Sequence, residues 1–160
     1  LQPFVAHGSG VSSLTIGRKS AAVLATGGED MDVNVWRVGR PTTLLSCSMG
    51  QQKGSGSGSG CVTALSFDPQ EEFLAAGSGA GAVKVFDLGS GGKLRRAFGT
   101  GHRSAVSCID HHPHGSGFLV TGSVDTNIKV WDSRRKECLA TYRGHDSATT
   151  CVRMSPDGTL

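Results

Sequence analysis

Thr121–Lys136 reads TGSVDTNIKVWDSRRK, Thr26–Arg40 reads TGGEDMDVNVWRVGR, and Ala76–Ser90 reads AGSGAGAVKVFDLGS. One phrase is spelled three times. Trp36, Phe86 and Trp131 hold the same place in it, at spacings of 50 (86 − 36) and 45 (131 − 86) residues. His102 in TGHRSAV and His145 in RGHDSAT lie 43 apart (145 − 102). The offsets inside a unit are tighter still. Trp follows His by 29 residues in two units (36 − 7 and 131 − 102), and Asp follows His by 23 in the same two (30 − 7 and 125 − 102). Self-similarity of this kind marks a stack of equal supersecondary units, each too small to bury its apolar face alone.

Each unit reads as short strands. In the third, Val106–His111, Phe118–Thr121, Ile128–Asp132 and Glu137–Tyr142 are β-favouring runs, separated by segments rich in Gly, Ser, Asp and Pro. Val33 and Val35, like Ile128 and Val130, alternate onto one sheet face, while Trp36 and Trp131 fall on the other parity. Such a sheet is covered on both faces. A period near 40–45 with GH at its start and WD at its end is the signature of WD-repeat propeller blades. The fold expected is all-β, a partial propeller of about three and a half four-stranded blades. The units span approximately 1–46, 61–98, 102–142 and 143–160, the last supplying only a first strand. Propellers close with about 4–8 blades, so the chain reads as a piece of a ring. It opens on Leu1 rather than Met and stops in mid-phrase at SPDGTL, as a processed chain or a part of a longer one does. Residues 49–60, MGQQKGSGSGSG, have the composition of a flexible surface loop.

Composition narrows the function. Glycine is abundant, at 24 of 160 residues, and the net charge of +3 is too small to argue for nucleic acid. No apolar run approaches the roughly 18 residues of a membrane span. The five cysteines, Cys47, Cys61, Cys108, Cys138 and Cys151, are odd in number and form no CxxC pair. Buried thiols in a reducing, cytosolic compartment are expected.

The chemical motifs are weak. Asp87–Leu94, DLGSGGKL, fails both ends of the phosphate-loop pattern, and Gly77–Ala82 lacks the third glycine of a dinucleotide loop. His111, His112 and His114 cluster without cysteine or carboxylate partners at ligand spacing, and their segment aligns with the strand-to-turn segments around Pro69 and Pro156. No catalytic residue, metal or cofactor is expected. An enzyme on this scaffold would need a cluster of acids or metal ligands facing the central channel, and none is evident.

In WD-repeat proteins a His, a Ser/Thr, an Asp and a Trp of one blade form a hydrogen-bonded chain. The resemblance places it on His7, Thr26, Asp30 and Trp36, and again on His102, Thr121, Asp125 and Trp131. The middle unit has Ala76, Ala80 and Phe86 at matching positions and a Gly/Ser tract in place of the GH. Removing one member of a buried network strands its partners at about 1–3 kcal/mol each, whereas removing every member can be nearly neutral. Joint loss is what a structural network predicts.

The stretches VAHGSGVSSLTIG (5–17), LATGGEDMDVNVWRVGRP (24–41), DTNIKVWDSRRKECLATYRGHDSA (125–148) and MSPDGTL (154–160) resemble the start of the WD-repeat domain of the katanin regulatory subunit. The resemblance implies a non-catalytic scaffold that targets a microtubule-severing AAA ATPase, which it binds through a separate region absent here. It implies protein partners and microtubules, no nucleic acid or membrane, and a place in the cytoplasm on the cytoskeleton, centrosome or spindle. The candidate partner contact is the basic turn Arg134, Arg135, Lys136, against an acidic surface. The alternative is a WD-repeat adaptor of another complex, such as a ubiquitin ligase substrate receptor.

Overall fold

A computed structural model of the chain describes residues 5–50, 60–98, 101–115 and 117–158. Twelve strands fall into three sheets. The first contains β1 (Val11–Ile16), β2 (Val23–Gly28), β3 (Asp32–Arg37) and β4 (Thr43–Ser48). The second contains β5 (Val62–Phe67), β6 (Phe73–Ser78), β7 (Val83–Asp87) and β8 (Lys93–Phe98). The third contains β9 (Val106–His111), β10 (Phe118–Ser123), β11 (Asn127–Asp132) and β12 (Glu137–Arg143). Each is an antiparallel meander in chain order. The first strands β1, β5 and β9 lie side by side, so the sheets fan out from them like vanes.

Three differences from the sequence reading stand out. No fourth-unit strand forms among residues 144–158. A first strand takes its ladder from the second strand of its own sheet, and no described segment supplies one. The segment instead lies across the third sheet, with the Thr149 amide donating to the Ser123 carbonyl at 3.0 Å and the Met154 amide to Asp110 Oδ2 at 2.9 Å. The expected loop at 49–60 lies mostly outside the described residues. Its first residue, Met49, is buried in the core, its amide bonded to the Met31 carbonyl at 2.9 Å. The cysteines also divide. Cys47 is buried, Cys61 and Cys108 are half-buried, and Cys138 and Cys151 are exposed.

The core lies between the sheets. Val33, Val35 and Cys47 of the first meet Val62, Leu65, Leu74 and Phe86 of the second. Ala64, Val83, Val85 and Phe98 of the second meet Val106, Ile109, Leu119 and Trp131 of the third. Phe98 and Trp131 stack with ring centroids 4.8 Å apart. On β1 the corresponding positions Val11, Leu14 and Ile16 stay exposed, because no described sheet lies on that side.

The glycine of the repeated phrase has its cause here. A Cβ on Gly77 would sit 2.6 Å from Val106 Cγ1 and 2.7 Å from Val106 Cβ; Gly27 stands in the same relation to Val62, and Gly122 to Thr149. The next sheet's first strand therefore packs directly onto the backbone of Gly27 and Gly77, and the segment after β12 onto that of Gly122. Val106 is fully buried and β-branched, with little rotamer freedom to retreat. Gly77→Ala is expected to lower stability by about 2 kcal/mol, within the usual overpacking range, read as a shift in urea midpoint. Gly8→Ala, with nothing within 4 Å of the added atom, is expected to leave the midpoint unchanged.

Candidate functional site

The paired sets His7–Thr26–Asp30–Trp36 and His102–Thr121–Asp125–Trp131 each converge. Antiparallel pairing sets Thr26 and Trp36 on neighbouring strands β2 and β3, and Thr121 and Trp131 on β10 and β11. The histidine enters from the loop before the first strand, and the aspartate sits in the turn between second and third.

The bond directions follow from the donors available. An indole N–H can only donate. Trp131 Nε1–H gives its proton to Thr121 Oγ1 at 2.9 Å. The Thr121 hydroxyl in turn donates to His102 Nε2 at 2.7 Å. Nε2 is thus the acceptor, so the imidazole proton sits on Nδ1 and points at Asp125, 3.1 Å away. The first sheet repeats the chain: Trp36 to Thr26 at 2.9 Å, Thr26 to His7 Nε2 at 2.9 Å, and His7 Nδ1 to Asp30 at 3.0 Å. Every proton in the chain has one acceptor, which calls for a neutral imidazole. Burial pushes the His102 pKa down despite the pull of Asp125. Burial alone would raise Asp125, but the Arg103 and Asn127 amides and His102 hold it at about 2.

The aspartate also braces its turn. Met31 and Thr126 have φ of 68° and 71°, values uncommon outside glycine. Asp125 Oδ1 accepts the Asn127 amide at 3.0 Å, and Asp30 Oδ1 the Asp32 amide at 3.2 Å. The second sheet lacks the aspartate and places Gly81, φ 84°, at the left-handed position.

A further set of residues escaped sequence reading. Ser12, Thr63 and Ser107 are the bulged residues of β1, β5 and β9, left over where the register shifts. The bulge turns each hydroxyl toward the following unit. Thr63 Oγ1 donates to the Val106 carbonyl at 2.6 Å, Ser12 to the Val62 carbonyl and Ser107 to the Thr149 carbonyl. The available signal was a hydroxyl one residue after the valine that opens each first strand.

The histidine cluster divides, with the His112 and His114 rings kept together at a centroid distance of 5.8 Å. His111 points into the core, with Nδ1 3.2 Å from the Ser66 hydroxyl. Burial pushes its pKa down to about 4, against Asp68 and Asp110. His112 Nε2 faces the Gly158 carbonyl at 3.3 Å. Among the described residues no group of three or more His, Cys, Asp and Glu could hold a metal ion.

Arg134, Arg135 and Lys136 form the exposed turn between β11 and β12. Asp132, itself buried, steadies the turn: its Oδ1 accepts the Arg134 amide at 2.8 Å, and its carboxylate lies 3.5 Å from Arg134 Nε and 3.9 Å from Arg135 Nε. Lys136, φ 63°, closes it.

Residues 1–37, 46–87, 92–132 and 136–160 match the family described as WD40, "WD domain, G-beta repeat". The Katanin p80 WD40 repeat-containing subunit B1 homolog KTN80.3 of Arabidopsis thaliana is 46% identical over 81 residues, 51% of this chain and 9% of that protein. Katanin p80 WD40 repeat-containing subunit B1 of Danio rerio is 44% identical over 84 residues, 52% of this chain and 11% of that protein. Transducin beta-like protein 3 of Bos taurus is 35% identical over 102 residues, 61% of this chain and 12% of that protein. The chain thus spans about a tenth of the length of these relatives. Among solved structures, that of U3-55K superposes with a TM-score of 0.77 at 21% identity, covering 91% of this chain and 42% of that one.

Proposed function

The chain belongs to the WD40 family, and from that premise we propose that it is a non-catalytic scaffold serving a katanin-type microtubule-severing complex. The observation that carries the reading is the division of its polar groups. The two buried His–Thr–Asp–Trp chains are internally satisfied and offer no free nucleophile or base, while the Arg134–Lys136 turn sets three exposed cations side by side, steadied from beneath by the buried Asp132. A fixed cationic turn suits attachment to an acidic filament surface by a salt-sensitive contact. The likeness to katanin p80 subunits supports microtubules as that surface and a katanin ATPase as partner, reached through a region outside this chain. The place of action is then the cytoplasm, at microtubules, centrosome or spindle. The likeness to transducin beta-like protein 3 supports a second reading, an adaptor of another assembly, a ubiquitin ligase among them.

The test is cosedimentation of the complete protein with microtubules. Arg134→Glu combined with Arg135→Glu and Lys136→Glu is expected to weaken binding about tenfold at low salt and less as salt rises, on the scale of a few exposed ion pairs. Unchanged cosedimentation of the reversed turn overturns the microtubule contact. Absence of a katanin ATPase from the purified complex favours the second reading.

A further inference from the structure

Between the lower ends of the second and third sheets lies a cleft of about 170 Å³. Phe73 opens β6 and Phe118 opens β10, and their rings form its apolar walls. Over each ring lies an arginine: the Arg95 guanidinium carbon is 4.0 Å from the Phe73 centroid, and that of Arg134 is 5.5 Å from the Phe118 centroid. The two arginines are also tied across the gap, because Arg96 donates from one terminal nitrogen to the Arg95 carbonyl at 2.8 Å and from the other to the Arg134 carbonyl at 3.1 Å.

A guanidinium resting face-down on a ring keeps its in-plane N–H groups free, already oriented for a carboxylate. Among the described residues, no carboxylate lies within ion-pair distance of Arg95. Arg134 is paired through Nε alone, with Asp132 Oδ1 at 3.5 Å, so its two terminal nitrogens are left to meet a second carboxylate, and the acid inside the cleft pairs with neither arginine. Asp68 is buried, and its two oxygens accept the Gln70 amide at 3.1 Å and the Phe73 amide at 2.7 Å. Glu72 stands exposed at the rim. The volume is below the roughly 300 Å³ at which small-molecule pockets begin, so the cleft takes side chains rather than a cofactor.

We propose that this cleft is a docking site for an acidic segment of a partner protein, whose carboxylates pair with Arg95 and Arg134 while an apolar side chain packs between Phe73 and Phe118. The proposal rests on the reading of the chain as a partner-binding scaffold and adds the site and the chemistry of the segment. It differs from the turn contact above in needing the ring-stacked arginines rather than Arg135 and Lys136.

The probe is a fluorescein-labelled peptide of repeated Glu-Glu-Leu triplets, followed by anisotropy on the complete protein. Its glutamine counterpart and a polyglutamate of equal charge serve as comparisons. Arg95→Gln and Arg134→Ala are each expected to weaken the Glu-Glu-Leu peptide at least tenfold with melting temperature retained. Phe73→Leu, which removes the ring but keeps an apolar side chain, is expected to weaken it severalfold. Arg40→Ala, an equal loss of charge in the β3–β4 connection of the first sheet, leaves it unchanged. Equal binding of the glutamine peptide, polyglutamate binding as tightly as the mixed peptide, or equal weakening by Arg40→Ala overturns the proposal. Microtubule cosedimentation of the same variants separates the two readings. Peptide binding lost in the cleft variants upholds the cleft whether or not cosedimentation changes, and peptide binding retained in them refutes it in either case.

Discussion

Thr121→Val lowers the stability of the protein by about 4 kcal/mol, read as a shift in denaturant midpoint at constant slope. Valine matches threonine in shape, so packing is kept and only the hydroxyl is lost. That hydroxyl is the hub of the third sheet's chain: it accepts from Trp131 and donates to His102. Its removal strands a buried indole N–H and a buried imidazole nitrogen, each worth about 1–3 kcal/mol. Thr26→Val removes the same hub in the first sheet and is expected to have a smaller effect, because Asp30 there is 25% exposed against 7% for Asp125. Water reaches the end of that chain and relieves part of the loss. The second sheet supplies the control. Combining Thr121→Ala with His102→Ala, Asp125→Ala and Trp131→Phe copies its apolar arrangement. The combination is expected to cost markedly less than the sum of its single changes, since no orphan remains and coupled sites are non-additive. A Thr121→Val protein within 0.5 kcal/mol of the parent, or strict additivity, shows that the chain does not hold the sheet.

Acid is expected to destabilise the protein in two steps. His111 has a folded pKa of about 4, set by burial, against an ordinary value of 6.5. The folded state therefore binds fewer protons than the unfolded state between these values. The stability from keeping His111 neutral is fully present above pH 6.5 and is lost as pH falls toward 4. At about 1.4 kcal/mol per pH unit, the loss is on the order of 3 kcal/mol. His102, lowered in the same direction by burial, adds to the same window. Asp125 then acts below it. Its folded pKa of about 2 lies under the ordinary 3.8, so its contribution is present above pH 3.8 and lost as pH falls through 2. Urea midpoints across pH 7 to 4 measure the first step. His111→Phe, which copies Phe67 at the matching position of β5, is expected to flatten most of it. A parent midpoint independent of pH over that range contradicts the burial of a neutral His111.

What could be read from the chain divides along one physical line. Contacts inside a sheet run between strands of one hairpin meander, so they recur at fixed sequence offsets. The shared 29-residue (36 − 7, 131 − 102) and 23-residue (30 − 7, 125 − 102) offsets of His7 and His102 established the repeat, and the WD-repeat resemblance placed on it the His–Thr–Asp–Trp chain whose bonds occur in the first and third sheets. The β-favouring runs of the third unit led to strands that begin where expected or one residue earlier, as Asn127 does.

Contacts between sheets have no such offset. Gly77 against Val106, Thr63 against the Val106 carbonyl, and the ring-stacked Arg95 and Arg134 each join residues of different units, and they depend on the angle at which one vane meets the next. His111 shows the same divide: the sequence placed it at the end of a strand, and packing of the third sheet on the second decided that its side chain turns inward to Ser66. The sequence by itself therefore determined the unit and its strands, because these depend on local pairing and period, and through its WD-repeat resemblance it pointed to the internal polar chain. Only the tertiary structure decided which glycines must be bare, which histidine is buried and where two arginines frame a cleft, because these depend on the surface that a neighbouring sheet presents.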